Sequence, residues 1–194
     1  RVATSRPRSR SRSSAVNEVV VVKIGGGLLR AEGLDGLRRG CAEAVALARE
    51  RSVLVVPGGG PFADAVRALD AEVGLGDEVA HVLALRSMDQ LGVLLAPMLP
   101  GAELLDHLVA PGVLGLLLAA PAFEGHPEIP ASWDVTSDSL AVLAAGAIGA
   151  TEAILLKPVD GGAVDAYLPE AVRRTGVTVT VRAPGGLGTR IPPG

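Results

Sequence analysis

The chain has 194 residues, of which 48% are hydrophobic and 20% charged, with a formal net charge of −3 and a mean hydropathy of +0.41. That is apolar material enough for one domain with a full core, which excludes wholesale disorder. A single cysteine excludes a disulfide scaffold or a Cys-based zinc module. Aromatic residues at 2% leave the core to Ala, Val and Leu and exclude a nucleic-acid surface built on stacked rings.

The charge is unevenly spread. Residues 1–14 carry five arginines and no acid, whereas the rest holds thirteen basic and twenty-one acidic residues. The Ser/Arg-rich stretch 1–17 reads as a disordered extension, with a transit peptide or a nucleic-acid arm as alternatives. A single domain, 18–194, follows it. The longest uncharged run, Leu108–Phe123, is broken by Pro111, Gly112, Gly115 and Pro121 and is too short to span a bilayer. The expectation is a soluble, cytoplasmic protein with an acidic body, no nucleic-acid partner and no membrane partner.

In chain order, Val19–Ile24 is a β-branched run that predicts a buried parallel strand, ended by Gly25-Gly26-Gly27. A helix is predicted over 35–50, a strand over 53–56 closed by Pro57-Gly58-Gly59-Gly60, and helices over 62–73 and 77–96. Residues 101–109 offer a short strand, 113–119 a buried one, and 121–132 a loop. A helix over 139–149, a strand over 153–157, a turn over 158–162, a helix over 168–175 and a strand over 177–181 complete the pattern, with an irregular tail from 185. Alternating strands and helices specify an α/β domain with a mainly parallel sheet.

Of the eighteen basic side chains only two are lysines, Lys23 and Lys157, and each closes a predicted strand beside glycines. A compact ammonium is a different tool from a guanidinium fork. Parallel sheets bind ligands at the carboxyl ends of their strands, and glycine loops let backbone N–H groups approach an anion. Two glycine triplets on one edge therefore predict phosphate chemistry; tight strand-to-helix turning is the plainer alternative. Walker A is absent, because Lys23 precedes its glycines. The segment Gly58–Ala63 nearly matches a dinucleotide fingerprint but has no acidic partner at the end of a following strand, which ranks an oxidoreductase reading lower.

In Ser132–Ser139, Asp134 and Asp138 are four apart and share a face if the segment is helical. Ser137 or Asp138 is a natural helix cap. A carboxylate there would also orient the two ammonium groups or help hold Mg²⁺. His107 and His126 read as surface residues and His81 as a packed one; hydrolase and zinc-enzyme motifs are missing.

Taken in order, Val22–Gly26, Val56–Ala63, Thr136–Ala141, Val159–Gly161 and Gly188–Ile191 resemble the amino acid kinase superfamily. Within it, His81–Gly92, Ser132–Asp138 and Val164–Pro169 resemble the branch that phosphorylates (aminomethyl)furanylmethyl phosphate in methanofuran biosynthesis. The resemblance implies a three-layer αβα sandwich, a small-molecule acceptor bearing a phosphate, Mg²⁺ and ATP as phosphoryl donor, and a homo-oligomer. By motif match, Lys23 would neutralise the transferring group, Asp138 would position the lysine, and Gly25, Gly26 and Gly27 would line the phosphate path. Gly58, Gly59 and Gly60 would cradle the acceptor with His81 and Trp133, and Asp134 would pair with an acceptor ammonium. Lys157, Val159, Asp160 and Gly161 would border the nucleotide.

Two departures stand out. The nucleotide turn reads Lys157-Pro158-Val159-Asp160-Gly161 where the family has Thr-Asp-Val-Asp-Gly, and only Gly162 and Ala163 separate it from Val164–Pro169, where the family carries a longer stretch. The nucleotide side is thus shortened. This opens a second reading, a binding or regulatory protein that kept the fold and lost turnover.

Overall fold

The valine run forms the centre of the sheet, as its β-branched side chains dictate. In the computed structural model, which describes residues 18–159 and 162–193, the elements are β1 (Val19–Ile24), α1 (Gly26–Leu47), β2 (Ser52–Pro57), α2 (Gly60–Val73), α3 (Asp77–Leu95), β3 (Glu103–Leu105), β4 (Leu114–Leu117), α4 (Ala119–Phe123), α5 (Ser137–Ala147), β5 (Glu152–Leu156), α6 (Leu168–Thr175), β6 (Thr178–Arg182) and β7 (Gly188–Ile191). A 3₁₀ turn at Ala96–Met98 follows α3. The seven strands lie in the order β3-β4-β2-β1-β5-β6-β7, all parallel except the β6–β7 pair. The expected tail 1–17, together with Asp160 and Gly161 of the nucleotide turn, lies outside the described residues.

Side chains on alternate faces of the strands enter two cores, giving helix, sheet and helix layers. Val20, Val22 and Ile24 pack with Leu28, Leu37 and Cys41 of α1 on one face. Val21, Ala153 and Leu155 pack with Leu140, Ala141 and Ala144 of α5 and Leu168 of α6 on the other. The same period of two carries Lys23 and Lys157 onto the α5 face, two residues beyond Val21 and Leu155 respectively. In the β1–β5 register Lys23 is opposite Leu155. Lys157 therefore lies one strand across, about 4.8 Å, and two residues further on, about 6.6 Å. A carboxylate at the head of α5 can reach both.

Helix α3 has the length and apolarity of a membrane-crossing segment; its Leu85, Met88, Leu91 and Leu95 are buried in the two cores, whereas Val79 and Val93 are exposed.

Three elements depart from the sequence expectation. Helix α1 begins at Gly26 instead of Asp35: the glycines form its first turn, and Gly33 (φ 62, ψ −152) breaks it before the amphipathic part. A short helix, α4, occupies part of the expected strand and loop because Asp89 on α3 accepts hydrogen bonds from Ala119 N (2.5 Å) and Ala120 N (3.3 Å), capping its first turn from outside. The tail from 185 is not wholly irregular, since β7 turns back as an antiparallel edge strand on β6.

Candidate active site

The two glycine triplets meet each other. A Cβ on Gly26 would lie 1.9 Å from Gly60 Cα, and one on Gly58 would lie 3.0 Å from Gly25 Cα. Gly58 N donates to Ile24 O (2.9 Å), which fastens the loops together. Glycine is therefore required here by backbone-to-backbone approach, a reason additional to any ligand. Gly25, Gly26, Gly27, Gly59 and Gly60 line a cavity of about 710 Å³, whereas Gly58 does not. Gly58 is buried behind Gly25, outside that lining.

Beneath the loops the structure brings Lys23, Asp138 and Lys157 together. Lys23 Nζ lies 2.8 Å from Asp138 Oδ1, and Lys157 Nζ donates to Asp138 Oδ2 at 2.6 Å. Lys157 Nζ also donates to the carbonyl of Ala163 (3.0 Å). Lys23 and Asp138 are 5% and 2% exposed, so this bridge works in a low dielectric where charge pairs are strong. Burial pushes the Asp138 carboxyl upward, but the neighbouring Lys23 and Lys157 ammonium groups outweigh it and hold the pKa below the usual value. Lys157 is pushed below the ordinary lysine range, first by burial and then by the like charge of Lys23, against the pull of Asp138.

The fit to Mg²⁺ is poor on the protein side. Both Asp138 oxygens already face ammonium groups, and no cluster of three His, Cys, Asp or Glu occurs among the described residues. In this structure Asp138 bridges two lysines. For an anionic phosphate chain the fit is good. The cavity has two ammonium groups and the N-termini of α1 and α2, neither capped by a side chain.

On the other side of the same cavity stand His81, Trp133 and Asp134. Asp134 sits in a turn before α5 begins at Ser137, so it does not share a helical face with Asp138. Trp133 Nε1 donates to Asp70 Oδ2 (2.8 Å), and the Arg67 guanidinium lies 4.6 Å over its ring. Asp64 links Arg67 (3.8 Å) to Arg30 (3.1 Å). His81 is shifted below its usual pKa by burial, partly countered by Glu78. Val159 is 80% exposed and, with Lys157, Pro158, Leu187 and Gly188, lines a second, open cavity of about 610 Å³.

A model of the amino acid kinase family matches residues 18–161. The chain belongs to that family. This amino acid kinase family member is 28% identical over 116 residues to the [5-(aminomethyl)furan-3-yl]methyl phosphate kinase of Methanocaldococcus jannaschii, a match covering 57% of the chain and 54% of that protein. The chain thus spans about half the length of the curated relative it matches. Its fold is that of the uridylate kinase from Archaeoglobus fulgidus (TM-score 0.64, 18% identity, 84% of this chain and 90% of that one). It is also that of the aspartate kinase from Synechocystis (TM-score 0.69, 15% identity, 91% and 40%).

Sequence reasoning missed Arg30, Arg67 and Asp165. Arg30 lies on α1, which also carries Arg38 and Arg39, and Arg67 is the one arginine of α2; neither stands in a motif that gives a local signal. Asp165 lies 29 and 26 residues beyond Thr136 and Ser139, the residues it bonds.

Proposed function

We propose that the protein is an ATP-dependent small-molecule kinase that moves the γ-phosphoryl group of ATP onto an acceptor already bearing a phosphate. The buried Lys23–Asp138–Lys157 bridge at the glycine-lined cavity carries this reading. Phosphoryl transfer is chiefly positioning and charge neutralisation. Lys23 supplies a point charge at the mouth of the loops, and Lys157 a second from the nucleotide border. Asp138 holds the ammonium groups apart and aims them. Mg²⁺, when bound with the nucleotide, supplies further neutralisation of the phosphate oxygens.

Asp138 Oδ1 faces Lys23, its Oδ2 accepts from Lys157, and its pKa is held below the usual value, which makes it a weak general base toward an alcohol. That favours a nucleophile that arrives ionised, and a phosphate monoester, with a second pKa of about 6, qualifies. One of its oxygens attacks the γ-phosphorus, the bond to the β-phosphate oxygen breaks and ADP leaves. A new P–O–P anhydride forms with no proton to place. The name of the M. jannaschii relative supplies a candidate acceptor of this class, an (aminomethyl)furanylmethyl phosphate. Its ring and ammonium would meet His81, Trp133 and the exposed Asp134 on the acceptor side.

A second reading is a phosphate-binding or regulatory protein without turnover. It is favoured by the exposed nucleotide border, where Val159 is 80% solvent-accessible. A Mg-ATP turnover assay across phosphate monoesters, aminomethylfuran phosphate included, separates the two. The kinase reading expects acceptor-dependent ADP, reduced about 100- to 1000-fold in Lys23→Ala. Absence of Mg-ATP binding at millimolar nucleotide would rule out an autonomous kinase.

A further inference from the structure

We propose that Asp165 is a positioning residue that sets the Lys23–Asp138–Lys157 bridge by capping α5 from a distant segment. Its carboxylate accepts four hydrogen bonds. Thr136 donates through N (3.0 Å) and Oγ1 (2.8 Å), and Ser139 through N (2.9 Å) and its Oγ. Thr136 is the N-cap of α5, yet its own side chain caps nothing in the helix; its hydroxyl turns to Asp165 instead. Two N–H groups at the head of α5, those of Thr136 and Ser139, are thus satisfied by a carboxylate, which the helix dipole also favours.

Asp138 lies between the two residues that Asp165 holds, in the first turn of α5. Fixing Thr136 and Ser139 fixes the direction in which the Asp138 side chain leaves the helix. The segment carrying Asp165 is itself anchored two residues earlier, where Lys157 Nζ donates to Ala163 O. The contacts close a ring that runs from Lys157 to Asp138, through the α5 head to Asp165, and back through Ala163 to Lys157. With Asp165 occupying the head of α5, the positive groups lining the cavity are the Lys23 and Lys157 ammonium groups, Arg30, Arg67 and the uncapped heads of α1 and α2.

That this geometry serves phosphoryl transfer rests on the kinase reading; that Asp165 orders the lysines does not. The chain has only two lysines, so ¹⁵N-lysine labelling yields two ammonium signals that Lys23→Arg assigns. In full-length Asp165→Asn with retained cooperative melting, both ammonium groups should exchange with solvent at least tenfold faster than in the parent. Ser139→Ala, which removes one donor, should move them the same way by less, and serves if Asp165→Asn does not fold. With acceptor and Mg-ATP, kcat should fall about 10- to 100-fold while KM changes little, as expected for a misplaced reacting group. Parental exchange rates at both lysines in a folded Asp165→Asn, or in Ser139→Ala if that is the variant that folds, overturn the proposal. If the parent protein turns over no acceptor, the kinase reading fails and the ammonium signals still decide the role of Asp165.

Discussion

On one side of the cavity two glycine loops touch backbone to backbone above a buried lysine–carboxylate bridge. Beyond Lys157, a second, open cavity is lined by the exposed Val159 and by Leu187, which stands fully in solvent. The first region is over-determined. Gly26 answers to Gly60 and Gly58 to Gly25, each strand face to its core, and Asp138 to two ammonium groups at once. The second depends on few contacts, chiefly Lys157 to Ala163 and Asp165 to the head of α5. The contrast is that the lysine–carboxylate bridge sits inside tight packing, whereas the segment beyond Lys157 is held by polar ties. Substitutions in the first should act on stability and rate together, and in the second on rate or binding with a smaller loss of stability.

The largest effect is expected at Asp138. Asp138→Asn leaves two largely buried ammonium groups unpaired and should cost about 3–5 kcal/mol in chemical denaturation, together with turnover. The pH dependence follows from the same shift. Because the folded pKa lies below the ordinary 3.8, the carboxylate's contribution is fully present above that value and is lost as pH falls through the lower, folded one. Asp138→Asn should therefore remove part of the protein's acid sensitivity.

Gly26→Ala comes next. A Cβ 1.9 Å from Gly60 Cα forces the loops apart and should cost about 3 kcal/mol, read as a lower denaturation midpoint. Gly25→Ala sharpens the comparison, since its Cβ would lie 2.4 Å from Lys23 Nζ, the movable end of a side chain. It should lower kcat about tenfold or more with a smaller stability loss than Gly26→Ala. A subtler effect belongs to Lys157. Its pKa is depressed from 10.5, so the basic limb of the kcat/KM profile should fall below the ordinary lysine range as rising pH removes the ammonium. The smallest effect is expected at Leu187→Ala, which should change stability by less than about 0.5 kcal/mol. It should raise KM for ATP with kcat intact.

Much of the candidate site was legible in the sequence because it obeys short periods. The valine run marks β1, the alternation of two puts Lys23 with Val21 and Lys157 with Leu155, and Asp138 stands at a helix start. The family match bears out that reading of the fold. What stayed hidden depends on contacts between distant segments. The first turn of α1 is made of glycines that read as a turn, and α4 exists because Asp89, thirty residues earlier, caps it. β7 is a four-residue edge strand without a hydrophobic run. Asp165 has no local partner; its role appears only once the chain returns to α5. The Arg30–Asp64–Arg67 array also joins separate helices.

The central claim is that the two lysines and the carboxylate between them transfer a phosphoryl group. ³¹P NMR of the parent with Mg-ATP and a phosphate monoester acceptor, run beside Lys23→Ala, tests it most directly. The account expects diphosphate product resonances to grow in the parent as ADP forms, and to grow about 100- to 1000-fold more slowly in Lys23→Ala. Product forming at the parental rate in Lys23→Ala would contradict it.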